Sequence, residues 1–383
     1  MNRHHTCRAM LVAGALAALS LPARAADDPL LHEAIELPGA VLYLDSGVPG
    51  LVLGVIRDGN TAVVGFGKIA DDIDKEPDGE TMMRIGSITK VFTGTTLASL
   101  VADGTVALSD PLQDRLGWDI TVPSRDGHTI RLIDLVTHTS GLPREVEREP
   151  GPANDPFSTL TAEVYSKALA ADPLLFPPGT GGLYSNFAFD VLSAALGNAA
   201  GKPYADVLKE RVLDPAGLKD TVLTLRPGDE ARLMQGHNFD GSGMPDVPAT
   251  PIMAGASSLY STPNDILKWL GWHMDRLSAG DAETRLIDHA AYVYRDALSP
   301  VLGFDESGHM DAMGLGWVIM AAEGGRPTIL QKAGGLQGMF VYCAMAPSQD
   351  IGVFVAINKF DFATAMGMAT VANELIATLA PRR

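Results

Sequence analysis

The chain is long, moderately apolar and strongly acidic. It has 383 residues, of which 46% are hydrophobic and 20% are charged, and its formal net charge is −17. This length allows one large domain or two interlocked ones with a sizeable core, and the composition argues against long disordered tracts. The negative charge argues against a nucleic-acid partner and against electrostatic binding to an anionic membrane, because both require a basic surface.

The first residues have the pattern of a secretory signal peptide. Basic residues that include Arg3 and Arg8 precede a short apolar run at 9–21, and Ala23-Arg24-Ala25 forms an A-x-A cleavage site. We therefore expect residues 1–25 to be removed and the protein to be secreted to the periplasm. The apolar run is too short for a stable transmembrane anchor, and the sequence predicts none in the mature chain.

Two strands and a helix are predicted next. Residues 27–45 favour a helix, and the apolar runs at 51–56 and 61–67 flank the turn signal Asp58-Gly59-Asn60. Strands this apolar are typical of a sheet that is covered on both faces.

A serine stands three residues before a lysine at the start of the next predicted helix. Ser87 and Lys90 precede a buried-type apolar run at 91–101, so both side chains would share one helix face. A serine hydroxyl needs a nearby base to act as a nucleophile, and a lysine that burial or a neighbouring cation keeps partly neutral can be that base. Ser-x-x-Lys also arises by chance, with the serine capping a surface helix, so the motif needs support from elsewhere.

The middle of the chain predicts helices and loops. The helical segments are 131–143, closed by a Gly/Pro stop, then 187–199, 204–212 and 262–272. Tyr184 and Asn186 end a tight loop before the second of these helices. A tyrosine can shuttle protons when cations favour its phenolate, and an asparagine amide can bind a substrate carbonyl. A packed tyrosine beside a helix cap would account for the same pattern.

The last fifth of the chain returns to strands. They are predicted at 314–320, 328–332, 339–345 and 351–357, and a final helix at 363–379 follows. Lys332-Ala333-Gly334-Gly335 stands at the end of one strand. The lysine gives a fixed positive charge there, and the glycines let a substrate pair with the backbone of the strand edge. An edge-strand lysine followed by a glycine bulge is the alternative interpretation. Cys343 lies in an apolar strand and is expected to be a buried, inert thiol.

This order of elements predicts an α+β fold, an α/β sandwich. Residues 26–86 and 300–383 would build an antiparallel sheet from both ends of the chain, with flanking helices. Residues 87–299 would form an inserted, mainly helical domain, and the active site would lie in the cleft between the two parts.

The three motifs Ser-x-x-Lys, Tyr-x-Asn and Lys-x-Gly occur in the order found in the penicillin-recognising serine hydrolases, a β-lactamase/transpeptidase-like group. The sequence resembles their class C β-lactamase branch, where the second motif is Tyr-x-Asn, and within it the AmpH-type D-alanyl-D-alanine carboxypeptidase/endopeptidases. Flanking segments agree: Leu135-Val136-Thr137-His138-Thr139-Ser140-Gly141-Leu142-Pro143-Arg144-Glu145, Pro177-Pro178-Gly179 and Gly314-Leu315-Gly316-Trp317-Val318.

The resemblance implies roles for the motif residues. Ser87 would be the acylated nucleophile, Lys90 and Tyr184 would share the proton transfers, and Asn186 would bind the substrate amide. Lys332, Gly334 and Gly335 would bind the substrate, and the backbone N–H groups of Ser87 and Gly335 would form the oxyanion hole. The substrates would be peptidoglycan peptides, with β-lactams as covalent ligands.

One position departs from the pattern. The family usually has Thr or Ser at the middle of the third motif, where its hydroxyl binds a terminal carboxylate, and this chain has Ala333. The departure favours a serine esterase on the same scaffold as one alternative to the peptidase. A class C-like β-lactamase is the other alternative, and it differs from the peptidase only in fast deacylation. No cofactor or metal is predicted, because no metal-ligand spacing of His or Cys follows the signal segment. His138 is interpreted as structural.

Overall fold

The structure is a computed structural model that describes residues 28–275, 278–305 and 308–380. The predicted signal peptide and its cleavage site lie outside these ranges. An eight-stranded sheet forms the base of the molecule, and all its neighbouring strands are antiparallel. In chain order its strands are β1 Gly50–Arg57, β2 Asn60–Gly67, β3 Val293–Tyr294, β4 Ala312–Met313, β5 Val318–Met320, β6 Ile329–Leu336, β7 Met339–Ala346 and β8 Ile351–Ile357.

The two ends of the chain meet inside this sheet. The strand order is β2-β1-β8-β7-β6-β5-β4-β3, and Leu51 of β1 pairs with Ile357 of β8. A sheet built from both termini is what the sequence predicts, and the α+β class is confirmed.

Helices cover both faces of the sheet. Helix α1 (Pro29–Ser46) and helix α10 (Phe362–Leu379) pack on one face, and α8 (Pro263–Met274) packs on the other. Side chains of β1 therefore alternate between two apolar cores: Leu51 and Leu53 face α1 and α10, whereas Val52 and Ile56 join the larger core. Burial on both faces explains why the strand sequence is continuously apolar.

The remaining helices surround one buried helix. A single 3-10 turn, Gly86–Ile88, leads into α2 (Thr89–Ala102), which is almost entirely buried. Thr93, Thr95 and Thr96 donate their hydroxyl hydrogens to carbonyls one turn earlier, which satisfies these polar groups inside the core. The other helices are α3 Leu112–Leu116, α4 Leu132–Val136, α5 Ala162–Ala170, α6 Asn186–Ala200, α7 Tyr204–Leu208 and α9 Ala282–His289, with a π-helical turn Lys209–Leu213 after α7.

The structure corrects three predicted boundaries. The helix predicted at 131–143 ends at Val136, because the backbone turns left-handed at His138. Of the strand predicted at 314–320, only Val318–Met320 is a strand, β5, because residues 314–317 form the turn that follows β4, with Gly316 at a φ of 84°. Strand β6 extends to Leu336, so Lys332-Ala333-Gly334-Gly335 lies within a strand and not at its end.

The predicted helical insert, residues 87–299, also includes elements that belong to the sheet layer. Strand β3 and helix α8 fall within residues 87–299, yet β3 pairs with β4 and α8 packs on β1 and β8. The sheet layer thus takes elements from before residue 300, and the division into two domains stays a prediction.

Helix α10 is a candidate membrane span by its composition, although no membrane anchor is predicted for the mature chain. The helix has 18 residues and a mean hydropathy of 1.2, so it is long and apolar enough to span a membrane by length and composition alone. Met368, Ala372 and Ile376 of the helix are buried against the sheet. A core helix passes the same test, so its hydropathy is weak evidence for a span.

Candidate active site

Ser87 lies in the 3-10 turn before α2, and Lys90 lies in the first turn of α2, close to the serine. Lys90 Nζ is 3.1 Å from Ser87 Oγ, and it donates to Asn186 Oδ1 at 2.6 Å and to the Ala256 carbonyl at 2.9 Å. The lysine is fully buried. Burial lowers the pKa of its ammonium group and the charge of Lys332 adds to this, although Tyr184 and Asp190 act in the opposite direction. This is the environment that a serine-activating lysine needs.

Tyr184 is surrounded by cations. Lys90 Nζ and Lys332 Nζ lie 5.0 Å and 4.9 Å from the centre of its ring, and the Arg144 guanidinium carbon lies 4.9 Å from it. Burial alone would raise the pKa of Tyr184, but the charges of Lys332 and Lys90 outweigh it and bring that pKa to about 7. The phenol can therefore exchange a proton near neutral pH.

His138 fixes the position of this tyrosine. Its ring stacks on the Tyr184 ring with the centroids 4.5 Å apart, and its Nδ1 accepts a hydrogen bond from the Ser185 N–H at 3.0 Å. Burial, with the nearby lysines, lowers the pKa of His138 well below its usual value, so the imidazole is neutral. These contacts agree with the structural role expected for it.

Asn186 is the first residue of α6, directly after the N-cap Ser185. Its Oδ1 accepts from Lys90, and its Nδ2 donates to Glu145 Oε1 at 2.5 Å. Glu145, whose side chain is 58% exposed, thus takes one hydrogen of the Asn186 NH2 group, and the second hydrogen is available to a substrate carbonyl. No residue pattern around Glu145 had indicated a role for it in the site.

The third motif lies against the Ser87 turn. Strand β5 pairs with β6 only at Ile329–Gln331, so the edge of β6 from Lys332 onward is not paired with β5. A Cβ atom on Gly334 would lie 2.4 Å from the Ile85 carbonyl oxygen and 2.9 Å from the Ser87 nitrogen. Glycine is required for this close approach, which brings the backbone of Gly335 beside that of Ser87.

The predicted residues meet in one cavity of about 600 Å³. Its polar end is lined by Ser87, Tyr184, Asn186 and Lys332, with Lys90 buried beneath them. Ala333, Gly334 and Gly335 form a side wall. The far end is apolar and is lined by Phe239, Phe340, Phe360, Phe362 and Met366. Every residue predicted for the site lies in or directly under this cavity.

Asp190 supports the site from behind, and the sequence analysis missed it. Its Oδ1 accepts from the Ala256 N–H at 3.1 Å and its Oδ2 accepts from the Tyr165 hydroxyl at 2.6 Å. Since the Ala256 carbonyl accepts from Lys90, Asp190 helps to orient the lysine. In the sequence, its role is indicated by the occurrence of an aspartate within the otherwise apolar segment that forms α6.

Comparison with known proteins agrees with this geometry. A family model described as Beta-lactamase matches residues 26–377. The chain belongs to the beta-lactamase family. Within the family, it is 35% identical to the D-alanyl-D-alanine-carboxypeptidase/endopeptidase AmpH of Escherichia coli K12, over 97% of both chains. It is 26% identical to a beta-lactamase of Pseudomonas fluorescens, over 86% of this chain and 94% of the relative.

Solved structures give the same result. A beta-lactamase/D-alanine carboxypeptidase from Yersinia pestis, complexed with citrate, superposes with a TM-score of 0.82 at 34% identity, over 92% of this chain and 99% of that chain. The predicted fold and the predicted family of serine hydrolases are thereby confirmed.

Proposed function

We propose that this protein is an exported serine D,D-peptidase that cleaves peptidoglycan peptides through an acyl-enzyme on Ser87. The observation that supports this most strongly is the contact of Ser87 Oγ with Lys90 Nζ at 3.1 Å, beside a tyrosine whose pKa is about 7. The similarity to AmpH and to the Yersinia enzyme supports the substrate class. The signal-peptide pattern of the first 25 residues supports export to the periplasm.

The acylation step follows from the arrangement of the side chains. The Ser87 hydroxyl gives its proton to the Lys90–Tyr184 pair as Oγ forms a bond to the substrate carbonyl carbon. The negative charge on the former carbonyl oxygen is stabilised by the N–H groups of Ser87 and Gly335. The C–N bond then breaks, and the departing amine takes the proton back from the same pair.

Deacylation reverses the roles. A water molecule gives a proton to the Lys90–Tyr184 pair and attacks the ester carbonyl. The bond between that carbon and Ser87 Oγ then breaks, and Oγ takes the proton back from the pair. Lys332 supplies positive charge on the β6 side of the cavity, where it attracts a substrate carboxylate. The strand edge after Lys332 is not paired with β5, so an extended peptide can add there as a further strand.

Ester hydrolysis at the same serine is a second candidate, and the apolar end of the cavity favours it. The methyl of Ala333 stands where the family has a hydroxyl, and it leads to the wall of Phe239, Phe340, Phe360 and Phe362. A wall of this kind suits an uncharged leaving group better than a terminal carboxylate.

The test is a comparison of three substrates by mass spectrometry. They are a peptide ending in D-Ala-D-Ala, a cross-linked muropeptide dimer and an aryl ester. We expect the wild type to cleave the two peptides, and Ser87→Ala to lose this activity by at least about 10³-fold. Ser109→Ala, at an exposed serine, is the control. Cleavage of the ester alone would replace the peptidase with the esterase, and peptide cleavage that survives in Ser87→Ala would contradict the acyl-enzyme.

A further inference from the structure

Three side chains of metal-binding type lie together outside the active site. His273 is in the last turn of α8, and Asp288 and His289 are in the last turn of α9. His273 Nδ1 and His289 Nε2 are 3.0 Å apart and share a hydrogen bond, whose proton would move to another ring nitrogen or leave when a metal binds. His273 Nδ1 is 3.5 Å from Asp288 Oδ2, and one ligand atom from each residue lies within 4.8 Å of the other two. Ligand atoms bound tetrahedrally to zinc are roughly 3.3 Å apart, given zinc–ligand bonds of about 2.0–2.2 Å.

The carboxylate in this cluster lacks a cation. Asp288 is fully buried. Its Oδ2, which lies 3.5 Å from His273 Nδ1, accepts from Trp317 Nε1 at 3.1 Å and shares the one hydrogen of the Thr95 hydroxyl, 3.2 Å away, with the Val91 carbonyl. Its Oδ1 has no hydrogen-bond partner. No lysine or arginine within the described ranges forms an ion pair with it. A buried carboxylate is costly unless a cation or several hydrogen bonds compensate it.

The surroundings favour a bound cation over a bound anion. The C-terminal ends of two helices meet at the cluster, and each carries partial negative charge. The buried Arg285 is nearby. Its Nη2 donates to the carbonyls of Ser278 and Gly280, and its positive charge still acts on His273 and His289, against the partial charges of the helix ends. Buried imidazoles are neutral, and the neutral form is the one that binds metals.

We propose that His273, Asp288 and His289 bind one divalent transition-metal ion, with Zn²⁺ as the preferred ion and a water molecule as the fourth ligand. Two imidazoles and one carboxylate form a common zinc ligand set. Thr95 and Trp317 orient the carboxylate from the second layer, as such contacts do in metal sites. His289 is the only partly buried member of the three, and it marks the route of entry.

The position of the site gives it a structural role. Thr95 belongs to α2, about 12 Å along the helix from Ser87 at 1.5 Å per residue. Trp317 follows Gly316, where a Cβ would lie 3.0 Å from the Lys90 carbonyl oxygen. The ion joins α8 to α9 beside α2, the helix that carries Lys90 and begins directly after the Ser87 turn. None of its ligands lines the catalytic cavity, so hydrolysis itself does not use the metal.

The experiment titrates the untagged, chelator-treated full chain with Zn²⁺ alone by calorimetry and with Co²⁺ by visible absorption. Thermal unfolding is measured with and without Zn²⁺. We expect one Zn²⁺ per chain, cobalt bands of the tetrahedral type and a higher Tm with metal. Asp288→Asn and His289→Ala should weaken binding at least ten-fold and abolish the rise in Tm. These readouts do not depend on the proposed peptidase activity.

His309→Ala is the matched control, because His309 is 62% exposed and lies within 4 Å of two carboxylates, where a surface ion could bind. Its affinity for Zn²⁺ should equal that of the wild type. Failure of the wild type to bind Zn²⁺, or unchanged affinity in both Asp288→Asn and His289→Ala, would overturn the site. Loss of binding in His309→Ala alone would assign the ion to the surface and would also overturn it.

Discussion

The ammonium group of Lys332 lies 4.9 Å from the centre of the Tyr184 ring, on a strand distant in sequence from the tyrosine loop. Together with Lys90, it offsets the effect of burial and brings the pKa of Tyr184 to about 7. The third motif thus acts on the second through charge. The Lys90–Tyr184 pair titrates as a unit, so its ionisation belongs to both groups.

This relationship predicts the pH dependence of acylation. The rate should rise with pH as Tyr184 loses its proton, with a midpoint near 7. Lys332→Met removes a positive charge that favours the phenolate, so the pKa of Tyr184 rises and the midpoint should move up by roughly one unit or more. The midpoint is measured from single-turnover acylation rates between about pH 5 and 10. Lys167→Met, at an exposed lysine on α5, should leave the midpoint unchanged. An unmoved midpoint in Lys332→Met would refute the coupling.

Gly334→Ala tests the contact between β6 and the Ser87 turn. The added Cβ would collide with the Ile85 carbonyl oxygen at 2.4 Å, so the strand and the turn must separate. Loss of one oxyanion donor costs about 10²–10³ in kcat, and we expect a decrease of that order. Gly367→Ala on α10 meets only an ordinary contact at 3.5 Å and serves as the control. A Gly334→Ala enzyme with kcat within two-fold of the wild type would show that the oxyanion hole lies elsewhere.

Ala333 should set the preference for the leaving group. Ala333→Thr restores a hydroxyl beside Lys332, and one hydrogen bond to a carboxylate contributes about 1.5–3 kcal/mol. We therefore expect kcat/KM for the peptide ending in D-Ala-D-Ala to rise roughly ten-fold or more relative to the aryl ester. Ala333→Val adds the same bulk without the hydroxyl and should not give this gain. Equal effects of Thr and Val would mean that shape, and not the hydroxyl, decides specificity.

Much of the catalytic site could be predicted because its chemistry is written in short local motifs. Ser87 and Lys90 are one helical turn apart, so sequence spacing alone places both on one face. Continuous apolar runs such as that of β1 likewise indicate a sheet buried on both sides. Burial and charge at Tyr184 were less accessible, because they depend on Lys332 from a distant strand.

The parts that the sequence did not reveal depend on tertiary contacts. Asp190 is linked to Lys90 by hydrogen bonds through the backbone of Ala256, which belongs to a distant segment. His273 and His289 lie sixteen positions apart and meet only because α8 and α9 end at the same place. The left-handed residue His138 ended a helix that periodicity extended through residue 143, since periodicity does not register φ.

The most direct test of the central claim is the intact mass of the enzyme after brief and long exposure to a penicillin. The wild type and Ser87→Ala are measured side by side. A long-lived adduct of one drug molecule on the wild type only is the result that we predict, because a penicillin would acylate Ser87 as a substrate mimic. Turnover of the drug without a lasting adduct would indicate a β-lactamase instead. An adduct that persists in Ser87→Ala, or neither adduct nor turnover in the wild type, would contradict the account.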